Sequence, residues 1–309
     1  MFYQFTHSGM QPVPPQAIRD DVLTVGYIQV QELPDLRTQF GFSESTVESC
    51  RVANRYFRSG VEVYNDYTFT ELRTFRYGKE QEDCVALYLK RNLFLVVNVE
   101  DFDGSTKEKF FSELNRHPMA MTPEKVLFTF LDSLVGGDIQ TLEDISTELS
   151  EKEEVLLHEK ADKDFHAALL RLKKQLARQH NYYEQILDIT DAVMENENSI
   201  FDAGSLMCIS NITRKVERLR EDADSLRATV EHLQDAYSSH LEMKMNSTMK
   251  IFTVLTSIFF PLTIIVGWYG MNFRYMPELQ WRYGYLYVIV LSVVTVVILS
   301  CIGKKKRWF

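Results

Sequence analysis

Residues Ile251 to Met271 read IFTVLTSIFFPLTIIVGWYGM, and none of these 21 residues is charged. A helix of that length crosses the roughly 30 Å hydrocarbon core of a bilayer. A second uncharged run, GYLYVIVLSVVTVVILSCIG, occupies Gly284 to Gly303 and stops at the basic cluster Lys304 to Arg307. Two buried helices of a soluble domain are a poor alternative, because soluble proteins rarely contain such long charge-free runs. The sequence therefore predicts a hairpin of two transmembrane helices.

Basic residues on the flanks of these runs predict the topology. Lys244 and Lys250 precede the first span, and the cluster Lys304 to Arg307, in the tail 304–309, follows the second span. Positive flanks favour the cytoplasmic side, and two spans place both termini on that side. We therefore expect a multi-pass protein of the cell inner membrane with cytoplasmic termini and an outer loop at 272–283. Six aromatic residues are expected at the lipid headgroups: Trp268, Tyr269, Tyr275, Trp281, Tyr283 and Tyr285.

Charge is unevenly distributed along the chain. The 309 residues include 34 Lys and Arg against 43 Asp and Glu, a net charge of −9. Residues 251–309 hold six of the basic residues and one of the acidic residues, which leaves 28 basic against 42 acidic in residues 1–250. This net charge of −14 disfavours nucleic acid as a partner, because phosphates require clustered Lys and Arg. Divalent cations are the expected ligands.

Motifs typical of enzymes are absent from the sequence. It has no Walker loop, no G-x-G-x-x-G and no G-x-S-x-G, and its seven His residues form no i, i+4 pair. The four Cys residues are widely scattered, which indicates reduced thiols and neither a zinc site nor a disulfide framework. We expect a protein that is not an enzyme and has no resident cofactor.

The acidic part is predicted to begin with an α/β domain at 1–121, followed by antiparallel cytoplasmic helices at 122–205. Apolar spacing predicts helices at Glu44–Arg58 and Thr106–Asn115 in the first of these. Runs rich in Val, Tyr and Phe predict strands at Val22–Val30, Val61–Phe75, Val85–Leu89 and Leu93–Val99. In the second region, one helical run is predicted from Pro123 to about His158 and another from about Ala161 to Met194.

A long stalk helix is predicted at 206–250. From Ile209 to Tyr237 apolar residues alternate spacings of three and four, as in a coiled-coil seam. No Pro or Gly interrupts residues 206–260, so the helix is expected to continue into the first span at 251–271. Packing of the seam against the chain's own helices and self-association are equal alternatives at this point.

One face of the first span carries polar and bulky residues at spacings of three and four. We call this face the ladder, and its members are Asn246, Met249, Thr253, Thr256, Phe260, Thr263 and Gly267, with Phe252 beside Thr253. If several copies surround an axis, these residues form hydroxyl and amide rings, and Met and Phe rings suited to gating by dewetting. The alternative is that the Thr hydroxyls only bond to helix carbonyls or hold helices together.

The first span ends in Tyr269-Gly270-Met271-Asn272-Phe273, and Met276-Pro277-Glu278-Leu279 follows before the second span at 284–303. With the long helix and basic tail, this arrangement resembles the CorA family of magnesium transporters over the whole chain. The resemblance implies a membrane homopentamer with a cytoplasmic α/β domain, a long stalk helix and a pore-lining first span. It also implies channel-like uptake of hydrated Mg²⁺, with Co²⁺ and Ni²⁺ as further candidates.

The resemblance assigns roles to individual residues. Asn272 provides the selective amide oxygens, Gly270 supports the turn, and Met271 packs beside it. A mouth that contacts the hydrated ion avoids the large cost of dehydrating Mg²⁺. Glu278 would raise the cation concentration at that mouth. The implied pore lining is Asn246, Met249, Phe252, Phe260 and Thr263, with Met249, Phe252 and Phe260 as a hydrophobic constriction.

The resemblance is weaker at the intracellular regulatory site. Family members commonly sense Mg²⁺ through acidic residues between subunits, but the corresponding stalk position here is Asn211, followed by Arg214 and Lys215. Asp66 and Asp138 are the remaining candidate ligands.

Two other functions remain as alternatives. One is a zinc transporter of the same fold, which the absence of His and Cys from the ladder disfavours. The other is a non-conducting, membrane-anchored cation sensor or scaffold, which would not require a ladder of Thr residues.

Overall fold

The computed structural model describes residues 1–6, 9–51, 60–75, 83–100, 104–116, 121–158, 164–271, 276–277 and 281–305. The chain divides into two units, Met1–Leu233 and Gln234–Phe309. The first unit contains a mixed sheet with its helices. The second contains the apolar segments.

The described residues form seven strands and eight α-helices. The strands are β1 (Phe2–Thr6), β2 (Gly9–Val13), β3 (Thr24–Gln29), β4 (Val61–Val63), β5 (Tyr67–Thr74), β6 (Asp83–Lys90) and β7 (Leu93–Glu100). The helices are α1 (Leu33–Phe40), α2 (Glu44–Arg51), α3 (Ser105–Arg116), α4 (Pro123–Val135), α5 (Asp138–Leu157), α6 (Phe165–Glu195), α7 (Met207–Tyr269) and α8 (Gly284–Lys305).

All seven strands belong to one sheet, in the order β2-β1-β3-β7-β6-β5-β4. Only β3 and β7 pair in parallel, and the other described pairs are antiparallel. The predicted strands near residues 22–30, 85–89 and 93–99 are confirmed. The run predicted as one strand at Val61–Phe75 instead contains β4 and β5, which pair with each other across a turn at 64–66. Strands β1 and β2 had no individual prediction.

Helices cover both faces of the sheet. On β7, Leu93, Leu95 and Val97 belong to an apolar cluster that also contains residues of α1 and α2. Between them, Phe94 points the other way and its ring centroid lies 5.6 Å from that of Phe110 on α3 and 5.8 Å from that of Phe130 on α4. A strand buried on both faces is continuously apolar, which explains the sequence of β7.

The helical run predicted from Pro123 to His158 is wrong in one respect, because it is two helices. Helix α4 ends at Val135 and α5 begins at Asp138, on either side of Gly136 and Gly137. Gly has a low helix propensity, and a Gly pair favours such a break. The next helix, α6, ends at Glu195 and is followed by Asn196, whose φ of 47° is the left-handed conformation common just after helix ends.

Side-chain pairs join α5, α6 and α7. Residue numbers fall on one helix as they rise on the next, so α6 is antiparallel to both neighbours. The pairs are Tyr183–Asp138 and Arg171–Glu148 between α5 and α6, and Arg220–Glu184, His180–Asp224 and Lys173–Glu231 between α6 and α7.

The seam on α7 is already buried within one chain. Six of its members are at most 2% exposed: Ile209, Ile212, Val216, Leu219, Ala223 and Val230. Packing against the chain's own elements therefore accounts for the seam up to Leu233. Beyond it, every residue from Leu241 to Thr253 is exposed.

Candidate ion pathway

The ladder lies on the uncovered face of α7. Its members Asn246, Met249, Phe252, Thr253, Thr256, Phe260, Thr263 and Gly267 are all exposed in the single chain. By contrast, Val254 is only 9% exposed, and Ile258, Pro261 and Ile265 are half-buried. These four residues stand two positions from ladder members, and positions two apart on an α-helix point about 200° from each other. One face of the span is thus covered within the chain, and the opposite face carries the ladder.

The Thr hydroxyls of the ladder each donate a hydrogen bond to the carbonyl four residues earlier. Thr253 bonds to Met249 at 2.8 Å, Thr256 to Phe252 at 2.8 Å, and Thr263 to Phe259 at 2.9 Å. This is the back-bonding alternative raised by the sequence. This hydrogen bonding still allows the Thr side chains to line an ion pathway, because a hydroxyl that donates its hydrogen keeps acceptor lone pairs. The exposed hydroxyl oxygens can therefore accept hydrogen bonds from water.

Large apolar side chains stand exposed between the Thr residues. Met249 is 58%, Phe252 60% and Phe260 65% exposed. Contiguous exposed apolar surface of this kind marks contact with lipid or with other protein chains. Around a shared axis, the same side chains would form a narrow apolar ring.

The end of α7 requires a glycine. The Gly270 amide donates to the Val266 carbonyl at 2.9 Å, and the Met271 amide donates to the Trp268 carbonyl at 3.3 Å. A Cβ atom added at Gly270 would lie 2.9 Å from the Val266 carbonyl oxygen. That contact is too short for a carbon, so a side chain at Gly270 would displace the turn. The predicted selectivity residue Asn272 and the loop residue Glu278 lie outside the described residues.

Aromatic side chains cluster where α8 begins. The Trp281 ring centroid lies 6.0 Å from that of Tyr283 and 6.3 Å from that of Tyr287. Trp and Tyr rings are enriched where a helix enters the headgroup region. The arrangement fits the predicted aromatic belt, of which Tyr275 lies outside the described residues.

The two candidate regulatory carboxylates have different surroundings. Asp66 is 55% exposed and pairs with Lys90, with 2.8 Å between Oδ2 and Nζ. Asp138 is half-buried and accepts a hydrogen bond from the Tyr183 hydroxyl at 3.1 Å. Within the described part of a single chain, no group of three or more His, Cys, Asp and Glu side chains could hold a metal ion. A regulatory role for either residue would require ligands from another subunit, and it stays a prediction.

Burial raises the pKa of Asp138 to about 6, from an ordinary value of 3.8. The Tyr183 hydrogen bond and the charges of Lys109 and Lys215 oppose this shift, since they favour the ionised carboxylate. The pKa of Tyr183 is itself raised, first by burial and then by the charge of Asp138.

Sequence reasoning missed one cation on the stalk. The sequence places Asn211 where an acid is expected, followed by Arg214 and Lys215, but it did not single out Arg218, which lines the same groove as these three residues. The signal was present in the spacing, because positions four apart lie on one face of a helix.

Residues 27–304 match the family described as CorA-like Mg²⁺ transporter protein. The chain belongs to this family. The predicted family and its fold class, a cytoplasmic α/β domain with a long helix and two apolar carboxyl-terminal helices, are therefore confirmed. Both helices are long and apolar enough to cross a membrane. Membership also places the chain among magnesium transporters, which confirms the predicted class of function.

Individual relatives agree with this assignment. The chain is 28% identical over 279 residues to the cobalt/magnesium transport protein CorA of Thermotoga maritima, covering 87% of this chain and 77% of that protein. Its fold is similar to the complete structure of the CorA magnesium transporter from Methanocaldococcus jannaschii, with a TM-score of 0.81 at 21% identity, covering 100% of this chain and 98% of that one. It is also similar to the ZntB cytoplasmic domain from Vibrio parahaemolyticus, with a TM-score of 0.64 at 11% identity and coverage of 78% and 97%. At these identities the two structures show a shared fold.

Proposed function

We propose that this CorA family member is one subunit of a homopentameric, channel-like transporter for hydrated Mg²⁺. The single observation that carries the proposal is the ladder on the uncovered face of α7, opposite the face covered within the chain. A subunit built in this way has one side of its first span available to line a shared axis. Co²⁺ and Ni²⁺ are proposed as further cargo ions.

The chemistry of the ladder suits an ion that keeps its water. Mg²⁺ releases its coordinated waters reluctantly, and those waters are strong hydrogen-bond donors. The hydroxyl oxygens of Thr253, Thr256 and Thr263 offer acceptor lone pairs, because their hydrogens are engaged by helix carbonyls. Rings of such acceptors would guide the hydrated ion without replacing its inner shell.

The proposed gate is the set of apolar rings formed by Met249, Phe252 and Phe260. A narrow apolar constriction excludes water and hence a hydrated ion, and it conducts when it widens. These side chains are exposed in one chain, so neighbouring copies would supply the rest of each ring.

Selection is proposed at the outer mouth. Asn272 would present neutral amide oxygens to the hydrated ion, Gly270 would shape the turn, and Met271 would pack behind it. Glu278 would attract cations to this mouth. No acid lies on the ladder itself, which favours transient contacts over tight binding.

The location proposed is the cell inner membrane, with both termini in the cytoplasm. The basic residues at the inner ends of both spans favour this orientation. An inside-negative potential then drives a divalent cation inward by about 4.6 kcal/mol per 100 mV. No nucleotide site is needed for uptake along that gradient.

The test is ion flux in liposomes that contain the purified full-length protein and a Mg²⁺-sensitive dye. Under an inside-negative potential, the wild type should admit Mg²⁺, and Asn272→Ala at matched protein density should lose most of that flux. Normal flux in Asn272→Ala would reject the proposed selectivity site. Flux of Zn²⁺ alone would indicate the zinc transporter, and absence of any flux at low and high internal Mg²⁺ would indicate the non-conducting sensor.

A further inference from the structure

A groove separates α5 from α7 in the first unit. Two adjoining cavities of about 350 and 280 Å³ share Ile139 and Asp222 in their walls. Apolar residues Leu142, Leu219 and Leu226 contribute to the same walls. Ile139 is 51% exposed although it lies outside the two membrane-spanning segments, where an exposed apolar side chain would face water. The groove therefore combines an apolar lining with open access.

One end of this groove is cationic. Arg214, Lys215 and Arg218 line it together with Asn211. Arg214 donates to the Asn211 side-chain oxygen at 2.7 Å, and the Lys215 ammonium lies 2.6 Å from a carboxylate oxygen of Asp132. Arg218 is exposed and makes no hydrogen bond or ion pair with the described residues. At least one guanidinium is thus free to meet a charge from outside the chain.

The cationic end contrasts with its surroundings. The first 250 residues have 42 acidic against 28 basic side chains. Helix α5, which forms the other wall of the groove, carries exposed acids that include Asp144, Glu151, Glu153 and Glu154, and its Glu143 lines the groove itself. A second copy of this chain would therefore offer extensive acidic surface to the three cations.

Closed rings impose a condition on the subunit. A cyclic assembly of more than two copies uses heterologous contacts, in which each subunit presents two different and complementary patches. A mainly acidic domain that also carries a cationic, partly apolar groove meets this condition. Arg beside apolar residues is also the composition enriched at the centres of protein interfaces.

We propose that the groove between α5 and α7 receives an acidic surface of a neighbouring copy of this chain, which Arg214, Lys215 and Arg218 hold by charge. The inference rests on the self-assembly in the proposed function. Because the attracting charges belong to the protein, the contact needs no divalent cation to bridge opposed carboxylates. A small phosphate-containing ligand is less suitable, since two of the three cations already have partners and much of the lining is apolar.

The test is zero-length cross-linking of the full-length protein in detergent. A carbodiimide joins a carboxylate to an amine in contact with it, so Arg218→Lys keeps the charge and adds a reactive amine to the groove. The expected result is a several-fold increase in covalent dimers on a denaturing gel over the wild type. Peptide mapping of the dimer band should join residue 218 to a carboxylate of another copy. Arg171→Lys is the matched control, because it adds an amine on α6 outside the groove, and it should not increase the dimers.

The same measurement separates the proposal from its competitors. Dimers should form equally in buffer stripped of divalent cations and in buffer with added MgCl₂. The proposal would be overturned by no dimers above the Arg171→Lys level, by links only to carboxylates of the same chain such as Asp222, or by a requirement for Mg²⁺. No ion flux is measured here, so failure of this test and failure of the transport proposal are distinguishable.

Discussion

The Tyr183 hydroxyl donates a hydrogen bond of 3.1 Å to a carboxylate oxygen of Asp138, which joins the start of α5 to the middle of α6. Both groups are poorly solvated, and burial raises the pKa of each. The charge of Asp138 raises the pKa of Tyr183 further, whereas the Tyr183 hydrogen bond lowers the pKa of Asp138. The contact therefore links the packing of these helices to pH.

Stability should depend on pH through Asp138. Burial raises its pKa in the folded protein to about 6, from 3.8, so the folded state binds this proton more tightly than the unfolded chain. The resulting stabilisation is complete below about pH 3.8 and is lost as the pH rises through about 6. Asp138→Asn removes the buried charge and should raise the thermal midpoint at pH 8. The corresponding gain in free energy of unfolding should be at most about 3 kcal/mol.

The comparison that checks this is the difference between wild type and Asp138→Asn at pH 5 and at pH 8, measured by thermal unfolding in detergent. The difference should be larger at pH 8. Tyr183→Phe, which removes the donor to the ionised carboxylate, should lower the wild-type midpoint more at pH 8 than at pH 5. An equal shift of the Asp138→Asn midpoint at both pH values would contradict the assignment.

A buried glutamine on α6 should be replaceable with a gain in stability. Gln179 is 0% exposed, and neither its amide nitrogen nor its amide oxygen has a hydrogen-bond partner among the described residues. An unsatisfied buried polar group costs about 1–3 kcal/mol. Gln179→Met keeps a similar shape, and we expect it to raise the thermal midpoint, with a gain of about 1 kcal/mol.

Gln185 provides the opposite case on the same helix. Its side-chain oxygen accepts a hydrogen bond of 3.1 Å from the Arg73 amide on β5. Gln185→Met should therefore lower the thermal midpoint, by about 0.5–1.5 kcal/mol in stability. Shifts of the same sign for the two variants would refute this interpretation of α6.

Transport should be sensitive to a methyl group at Gly270. The added Cβ would lie 2.9 Å from the Val266 carbonyl oxygen, so Gly270→Ala should distort the turn that precedes Asn272 and reduce Mg²⁺ flux at least several-fold. Gly137→Ala is the matched control, because its Cβ would meet nothing within 4 Å and Gly137 lies far along the chain from the pore. If Gly270→Ala transported Mg²⁺ as fast as the wild type at equal protein density, the turn at Gly270 would not be needed for transport.

Two adjacent phenylalanines test the ladder directly. Phe259 is 57% and Phe260 65% exposed, but only Phe260 belongs to the ladder, since neighbouring positions on a helix point about 100° apart. Phe260→Ala should widen the apolar ring and raise resting Mg²⁺ leak into liposomes several-fold. Phe259→Ala should leave the leak near the wild-type level. A larger increase in leak for Phe259→Ala than for Phe260→Ala would indicate that another face of α7 lines the pore.

Several predictions from the sequence succeeded because local signals were strong. Continuous apolar runs identified both spans, and the absence of Pro and Gly between 206 and 260 predicted one long helix, which the structure contains as Met207–Tyr269. The strands near residues 85–99 also followed from composition. The predictions failed where one element ends and the next begins within a few residues, as at 64–66 between β4 and β5 and at Gly136 between α4 and α5.

The sequence alone determined that two apolar helices end the chain, that an acidic part precedes them, and that the motif at Gly270, Met271 and Asn272 resembles the CorA family. Periodicity could not decide what each helix face contacts, because the same spacing serves intrachain packing and self-association. The tertiary structure decided that the seam from Ile209 to Leu233 is buried by the chain itself and that the ladder remains open. Burial depends on elements distant in sequence, so only the folded chain distinguishes a core face from a free one.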